Sequence, residues 1–228
     1  MRSLIICAAM KEELPFSDEG GDERRLALEK ETGVSIRLLR TGVGKVNAAS
    51  AVTEALVREP ANAVIVVGTA GALSQRAHKN WCVVITRANQ HDVDVRALTH
   101  LQLKRGDIPF EKTSTWIADA SLRNALFVAV LNRDGAGRQG GIISGDRFLA
   151  DAQEAERLEE LFFADVVDME TAAVAQACLR LNTVWASFRV VSDAANGQAP
   201  ADFVAAVANV AQRIEGIVAE GMRNWGKI

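Results

Sequence analysis

Short apolar runs alternate with amphipathic stretches along the 228-residue chain. The runs at 3–9, 63–68 and 82–86 hold few polar residues, which is typical of strands buried on both faces of a parallel sheet. Further strands are predicted at 34–41, 142–144, 164–167 and 184–191. Helices are predicted at about 46–58, 117–132, 151–162 and 169–181, and over the residues that follow Pro200.

Strands and helices therefore alternate, and this order predicts an α/β fold. We expect three layers, α/β/α, around a central mixed and mainly parallel sheet, in a single domain over residues 1–228. The C-terminal helix is the clearest amphipathic element. Its apolar residues recur at helical spacing, at Phe203, Val207, Val210, Ile214, Ile217 and Val218.

Three segments lack a clear pattern. Residues 18–32 are polar and rich in glycine, which predicts an exposed connection or hairpin. Residues 135–141 contain four glycines, which predicts a loop. Residues 96–115 favour no particular element.

Composition narrows the class of protein. Apolar residues make up 49% of the chain and charged residues 24%, as in globular proteins. The net charge of −3 offers no electrostatic footprint for nucleic acid or an anionic membrane. The apolar run at 4–10 is too short for a membrane span and is interrupted at Lys11, so we interpret it as the first strand rather than a signal peptide.

The cysteine and histidine residues predict neither disulfide bonds nor a metal site. Cys7, Cys82 and Cys178 are far apart and each lies in an apolar run, which predicts reduced core thiols in a cytoplasmic protein. His91 lies near Asp92 and Asp94, but no second histidine or cysteine stands at ligand spacing. We therefore expect no metal and no cofactor.

Several polar residues follow predicted strands, where ligands bind in α/β sheets. Glu13, Thr69 and Asp193 each stand just beyond a strand. Glu170 opens a helix, and the residues that follow it on the same face are apolar, so its carboxylate projects from the buried stripe. Either Glu170 binds a ligand or it stabilises the helix N-terminus, a role that Asp168 already suits.

The turn Gly42-Val43-Gly44-Lys45 suggests nucleotide binding but matches neither phosphate motif. Leu39 and Val46 break the P-loop pattern, and Asn47 breaks the dinucleotide fingerprint. Two interpretations stay open, a tight strand-to-helix connection or an anion or hydroxyl site at the helix N-terminus.

Taken together, the motifs resemble the 5′-methylthioadenosine/S-adenosylhomocysteine nucleosidase group of the nucleoside phosphorylase superfamily. No single motif is specific, but all occur in family order and span most of the chain. They are AMKEE (9–13), TGVGKVNAA (41–49), VGTAGAL (67–73), SGDRF (144–148), and DMETAA (168–173) with RVVSD (189–193).

The resemblance implies a hydrolase that releases adenine from a 5′-modified adenosine. Glu13 would take a proton from the attacking water, and Asp193 would protonate the purine at N7, so that the base leaves uncharged. This division of labour parallels the acid and base of inverting glycosidases.

The resemblance also implies the substrate-binding residues. Glu170 would bind the ribose hydroxyls, with Met169 packed on the sugar. The other implied residues are Thr69 near the water, Phe148 and Leu149 at the base, and Ser192 beside the acid.

The nucleophile has to be argued, because sibling enzymes use phosphate. The phosphorylases of the superfamily carry an arginine where this chain has Val66, and neither Arg40 nor Lys45 matches a phosphate ligand. Hydrolysis is therefore favoured. The alternatives are a purine nucleoside phosphorylase, a nucleosidase for another 5′-modified purine nucleoside, and a nucleoside-binding protein without activity.

Two departures bear on the 5′ group. Nucleosidases of the group usually carry Glu where Asp168 stands. They also carry an aromatic residue before the last helix, where this chain has Gly197-Gln198-Ala199-Pro200. By analogy with the group we expect a homodimer in which the neighbouring subunit closes the 5′ pocket.

Overall fold

The structure, a computed structural model, describes residues 2–207 and 210–225. Its strands are β1 (Arg2–Ala8), β2 (Val34–Arg40), β3 (Ala63–Ala72), β4 (Cys82–Gln90), β5 (Thr115–Ile117), β6 (Gly137–Ser144), β7 (Val166–Asp168) and β8 (Val184–Asp193). Its helices are α1 (Gly21–Thr32), α2 (Lys45–Arg58), α3 (Ala120–Asp134), α4 (Ala152–Phe162), α5 (Thr171–Arg180), α6 (Ala199–Val207) and α7 (Val210–Trp225).

The sheet is mixed and partly closed. One parallel set of neighbouring strands has the order β2, β1, β3 and β8. A second parallel set has the order β4, β6 and β7. The two sets meet where β4 pairs antiparallel with β8, and β4 also pairs antiparallel with β5. The last two residues of β3, Gly71 and Ala72, pair antiparallel with β7. Strands β3, β8, β4, β6 and β7 thus form a ring, with β1 and β2 as an extension from β3.

Helices cover both faces, as the three-layer prediction requires. Alternate residues of β1 enter different cores, because successive side chains of a strand point to opposite faces. Leu4 and Ile6 pack in the core that α3 and α7 cover. Ile5 and Cys7 pack in the core that α2 and α5 cover. The α/β/α expectation is confirmed.

The segment 18–32 was wrongly predicted as a connection or hairpin, since α1 spans Gly21–Thr32. Only Gly21 and Leu28 of this helix are buried, so it lacks the apolar stripe by which helices are recognised. Helix-forming residues and the ion pair between Arg25 and Glu29 support it instead.

The four-glycine segment 135–141 was wrongly predicted as a loop, because β6 begins at Gly137. Its glycines mark close packing rather than a turn. A Cβ at Gly137 would lie 2.4 Å from Val130, and a Cβ at Gly140 would lie 2.4 Å from the Asp165 carboxylate.

The C-terminal helical prediction is met by α6 and α7, and its residues 208 and 209 lie outside the described part. Buried residues of the predicted stripe include Val210 and Ile214. Cys7, Cys82 and Cys178 are buried and unpaired, which confirms their predicted place in the core. None of the described helices combines the length and apolar character that a bilayer-spanning helix requires.

Candidate active site

A cavity of about 340 Å³ opens where β1, β3, β7 and β8 end. The sheet brings these ends together, although they are far apart along the chain. All the residues predicted for the site line this one cavity, namely Glu13, Thr69, Phe148, Leu149, Met169, Glu170, Ser192 and Asp193. Their individual chemical roles stay predictions.

Glu13 lies in a short 3₁₀ turn after β1 and is 2% exposed. One oxygen, Oε1, accepts hydrogen bonds from the backbone N–H of Thr69 at 2.8 Å and from its hydroxyl at 2.7 Å. Burial raises the pKa of Glu13, and the Arg189 charge and the Thr69 donors oppose that rise. The result is a fixed carboxylate that is more basic than usual.

Gly68 explains how β3 can pass so close to this carboxylate. Its φ of +145° disfavours other residues. An added Cβ would lie 2.9 Å from Oε1 of Glu13 and 2.4 Å from the Arg189 guanidinium. Glycine at this position therefore makes room for both charged groups.

Glu170 caps α5 from a buried position, and its Oε1 accepts the N–H of Gly44 at 2.8 Å. Burial raises the pKa of Glu170 to about 7, with a further contribution from the Asp168 charge, against the lowering effect of Arg189 and the Gly44 N–H. No described residue donates a hydrogen bond to its other oxygen. That oxygen is available to a ligand.

The glycine turn at 42–45 contributes backbone N–H donors to two carboxylates of the protein. The N–H of Gly44 binds Glu170, and the N–H of Lys45 binds Asp146 Oδ1 at 2.7 Å. These donors at the start of α2 thus serve carboxylates of the protein itself. The turn therefore connects β2 tightly to α2 and positions Glu170.

Asp168, at the cavity wall, forms an ion pair with Arg189, with Nη2 and Oδ2 at 2.5 Å and both side chains almost fully buried. Asp168 also accepts the N–H of Thr171 at 3.0 Å, which confirms its predicted place at the start of α5. Sequence reasoning assigned Arg189 no role. Its signal was a charged residue inside an apolar strand, which is costly unless it is paired.

Asp193 ends β8 and is 3% exposed. Its Oδ1 accepts the N–H of Ala195 at 2.8 Å, and its Oδ2 accepts the Ser192 hydroxyl at 2.7 Å. A Cβ at Gly71 would lie 3.0 Å from Oδ1. The carboxyl group is held rigidly at the cavity wall.

Two aromatic rings close another wall of the cavity. Phe148 and Phe203 meet edge to face, with ring centroids 5.8 Å apart. Residues 197–200 hold no aromatic side chain, as the sequence analysis noted, but Phe203 supplies one to the cavity. Phe203 lies on helix α6, which begins at Ala199.

Comparisons with known proteins agree with this architecture. The sequence profile of the Phosphorylase superfamily matches residues 5–221. A 5′-methylthioadenosine/S-adenosylhomocysteine nucleosidase of Bacillus subtilis is 34% identical over 174 residues, which cover 75% of this chain and 73% of the relative. The chain belongs to this nucleosidase group of the phosphorylase superfamily.

Solved structures support the same assignment. The nucleosidase of this group from Neisseria meningitidis, solved with methylthio-immucillin-A, superposes with a TM-score of 0.83 at 27% identity over 98% of this chain and 99% of its own. A futalosine hydrolase mutant of Helicobacter pylori gives a TM-score of 0.81 at 22% identity over 97% and 98%. At that identity the second likeness shows the fold alone.

The positively charged residues near the site bear on whether water or phosphate is the nucleophile. Val66, which replaces the phosphorylase arginine, is buried in the apolar core. The Lys45 ammonium binds Asp92 at 2.5 Å and Gln90 at 2.9 Å, and Arg189 is held by Asp168. These cations are engaged within the protein.

Proposed function

We propose that this chain hydrolyses the N-glycosidic bond of a 5′-modified adenosine, of the methylthioadenosine or S-adenosylhomocysteine type, and releases adenine. The observation that supports this most strongly is the convergence of Glu13, Glu170 and Asp193 on one cavity. Each comes from a different strand end, and each is at least nine-tenths buried. Buried acids of this kind cluster at functional sites.

Asp193 suits the departure of the base. Breaking the bond places positive charge on the ribose and negative charge on the purine. A proton given by Asp193 to N7 lets adenine leave as a neutral molecule, an effect worth about 10²–10⁴-fold in rate. Ser192 holds the Asp193 carboxyl group in position for that transfer.

Glu13 suits the activation of water. Both Thr69 donors bind Oε1 of Glu13, so we assign the uptake of the proton from water to its other oxygen. The raised pKa of Glu13 makes its ionised form a stronger base. Glu170, with one oxygen fixed by Gly44, offers the other to the vicinal ribose hydroxyls, and its negative charge stabilises the developing cation.

Water rather than phosphate is the proposed nucleophile. A phosphate needs cationic donors, usually arginine, at the reacting centre. Lys45, which follows the Gly44 that binds Glu170, and Arg189 already have carboxylate partners. Arg147 also lines the cavity, but it is exposed and does not belong to the buried carboxylate cluster. The phosphorylase alternative therefore lacks a ready ligand set.

Base release from methylthioadenosine, S-adenosylhomocysteine, adenosine and inosine, each with and without phosphate, tests the proposal. We expect adenine from the 5′-thio substrates in phosphate-free buffer, and no stimulation by phosphate. Glu13→Gln should abolish turnover but keep binding, while Glu12→Gln, an exposed neighbour, should retain activity. Strict phosphate dependence would establish a phosphorylase, and binding without base release would establish a binding protein.

We also propose a cytoplasmic homodimer that acts in purine salvage. The outer face of α2 supports the dimer, because Val46 and Val57 are 75% and 66% exposed and lie in line with the exposed Ser50 and Thr53. The buried free thiols fit a reducing compartment. Light scattering should give twice the mass of the 24.5 kDa chain, and Val46→Glu with Val57→Glu should yield monomers.

A further inference from the structure

A ring of hydrogen bonds joins three residues that the proposed reaction does not use. Asp92 accepts two of these bonds, from the Lys45 ammonium at 2.5 Å through Oδ1 and from the N–H of Asp146 at 2.9 Å through Oδ2. Asp146 accepts the third bond, from the N–H of Lys45 at 2.7 Å. The ring is closed because each member contacts the other two, although the three residues are far apart along the chain.

Two sides of this ring lead directly to the cavity. Lys45 follows Gly44, whose N–H fixes one oxygen of Glu170 at 2.8 Å. Asp146 begins a segment that reaches the cavity wall at Phe148. The ring therefore holds the turn that fixes Glu170 against the segment that carries Phe148.

Asp92 completes the ring from outside the lining of the cavity. Burial raises the pKa of Asp92, but the Lys45 ammonium and the Asp146 N–H together outweigh burial and lower that pKa below its ordinary value. The carboxylate is therefore ionised at neutral pH and accepts both bonds at once. The Lys45 ammonium is also held by Gln90, whose Oε1 accepts a hydrogen bond from it at 2.9 Å.

The strands beside the ring are paired independently of the Asp92 side chain. Strand β4 pairs with β6 as far as Gln90 and Ser144, and the N–H of the next residue, His91, donates to the Ser144 carbonyl at 3.0 Å. The buried His91 ring also packs against Gly145, where an added Cβ would collide with it. Loss of the Asp92 carboxylate should therefore loosen the segment after Gly145 without unfolding the strands.

We propose that Asp92 is a positioning residue, which sets the spacing between the ribose-binding carboxylate of Glu170 and the segment that binds the base. This inference rests on the proposed function, which places the ribose at Glu170 and the base at Phe148 and Leu149. A nucleoside contacts both places at once, so it binds more tightly when their spacing is fixed in advance. Free adenine contacts only one of them and can follow a segment that moves. Asp92 should therefore favour the intact nucleoside over the free base while touching neither.

Binding of 5′-methylthioadenosine and of adenine to the same variants tests the assignment. The dissociation constants are measured by calorimetry in the Glu13→Gln background, where turnover does not consume the nucleoside. Asp92→Asn keeps the size of the side chain but removes its charge and one of its two acceptors. We expect Asp92→Asn to weaken the nucleoside about fivefold and adenine by less than about twofold.

Two controls separate positioning from a general loss of binding. Asp94→Asn changes a carboxylate of the same segment, which is 42% exposed and pairs with its neighbour Arg96, and it should leave all affinities unchanged. The 2′,3′-dideoxy analogue of the nucleoside has no ribose hydroxyl for Glu170, so Asp92→Asn should weaken it by less than about twofold. Equal losses for the nucleoside, its dideoxy analogue and adenine, or no loss for the nucleoside, would overturn the assignment.

Turnover separates this inference from the proposed function. In the chain with Glu13 intact, Asp92→Asn should lower kcat/KM for 5′-methylthioadenosine by a similar factor, and the pH profile of kcat/KM should keep its shape, because Asp92 takes no part in proton transfer. If the unaltered protein releases no adenine, the hydrolase proposal fails, but the ratio of the binding losses still decides the role of Asp92. If adenine is released and the binding losses are equal, the hydrolase stands and the role of Asp92 is refuted.

Discussion

Two buried carboxylates, only two residues apart, have opposite surroundings. Asp168 is saturated, with hydrogen bonds to both oxygens and a guanidinium at 2.5 Å. Glu170 has one donor, the N–H of Gly44. The donors to Asp168 are the Ser144 hydroxyl, the Thr171 N–H and hydroxyl, and Arg189.

The different surroundings indicate different roles for the two carboxylates. The charge of Asp168 is compensated inside the protein, so Asp168 stabilises the fold. Burial and the neighbouring Asp168 charge raise the pKa of Glu170 to about 7, so its ionised form is unfavourable in this buried position. A buried carboxylate without a compensating charge lowers the stability of the folded protein, and it is typical of a ligand-binding site.

The largest expected effect concerns a third carboxylate, Asp193, which faces the cavity as Glu170 does. Asp193→Asn removes the proton donor while keeping the shape of the side chain. We expect kcat for adenine release to fall by about 10²–10⁴-fold, with the melting temperature little changed. Asp22→Asn, at an exposed position on α1, is the control and should retain full activity.

The second largest effect concerns Asp168, whose charge is compensated within the protein. Asp168→Asn leaves the Arg189 charge buried without its partner, which should lower the free energy of unfolding by about 3–5 kcal/mol in urea denaturation. Asp168→Glu, which restores the usual residue of the group, should recover most of that loss. Equal stability of Asp168→Asn and the unaltered protein would show that the ion pair does not hold the fold.

Glu170→Gln should raise the free energy of unfolding, whereas Asp168→Asn should lower it. The folded pKa of about 7 lies above the ordinary glutamate value, so the folded state keeps a proton that the unfolded chain loses as pH rises. Glu170 therefore destabilises the protein progressively as pH rises toward 7, and fully above it. We expect Glu170→Gln to add about 2 kcal/mol of stability at pH 8 and little at pH 4, while weakening nucleoside binding. A loss of stability at pH 8 would contradict this.

The smallest effect concerns the pH dependence of the base. Thr69→Val removes the hydroxyl that lowers the pKa of Glu13, so that pKa should rise further. The acid limb of the kcat/KM profile should move to higher pH, with about a threefold larger loss at pH 6 than at pH 8. Thr69→Ser keeps the hydroxyl and should leave the limb in place. An unshifted limb in Thr69→Val would exclude Glu13 as the titrating base.

The strands and most helices were predictable because local apolar periodicity reflects which face of an element is buried. Helix α1 escaped because it hardly contributes to the core, and the start of β6 escaped because its glycines resemble a loop. Closure of β3, β8, β4, β6 and β7 into a ring depends on pairings between distant strands, which no local pattern shows.

The predicted site residues were recognisable from motifs, but their hydrogen bonds and ion pairs were not. Gly44 and Glu170 are 126 positions apart, and Asp168 and Arg189 are 21 apart. Phe203 was seen only as part of an apolar stripe, since helical spacing does not reveal which residue of a stripe faces a cavity.

A crystal structure of Glu13→Gln with bound 5′-methylthioadenosine tests the central claim most directly. We predict the free oxygen of Glu170 within hydrogen-bond distance of both ribose hydroxyls and Asp193 at N7 of the adenine. Asp168 should keep its bond to Arg189 and touch no ligand atom. A nucleoside bound elsewhere, or a ribose that contacts Asp168 instead of Glu170, would contradict the account.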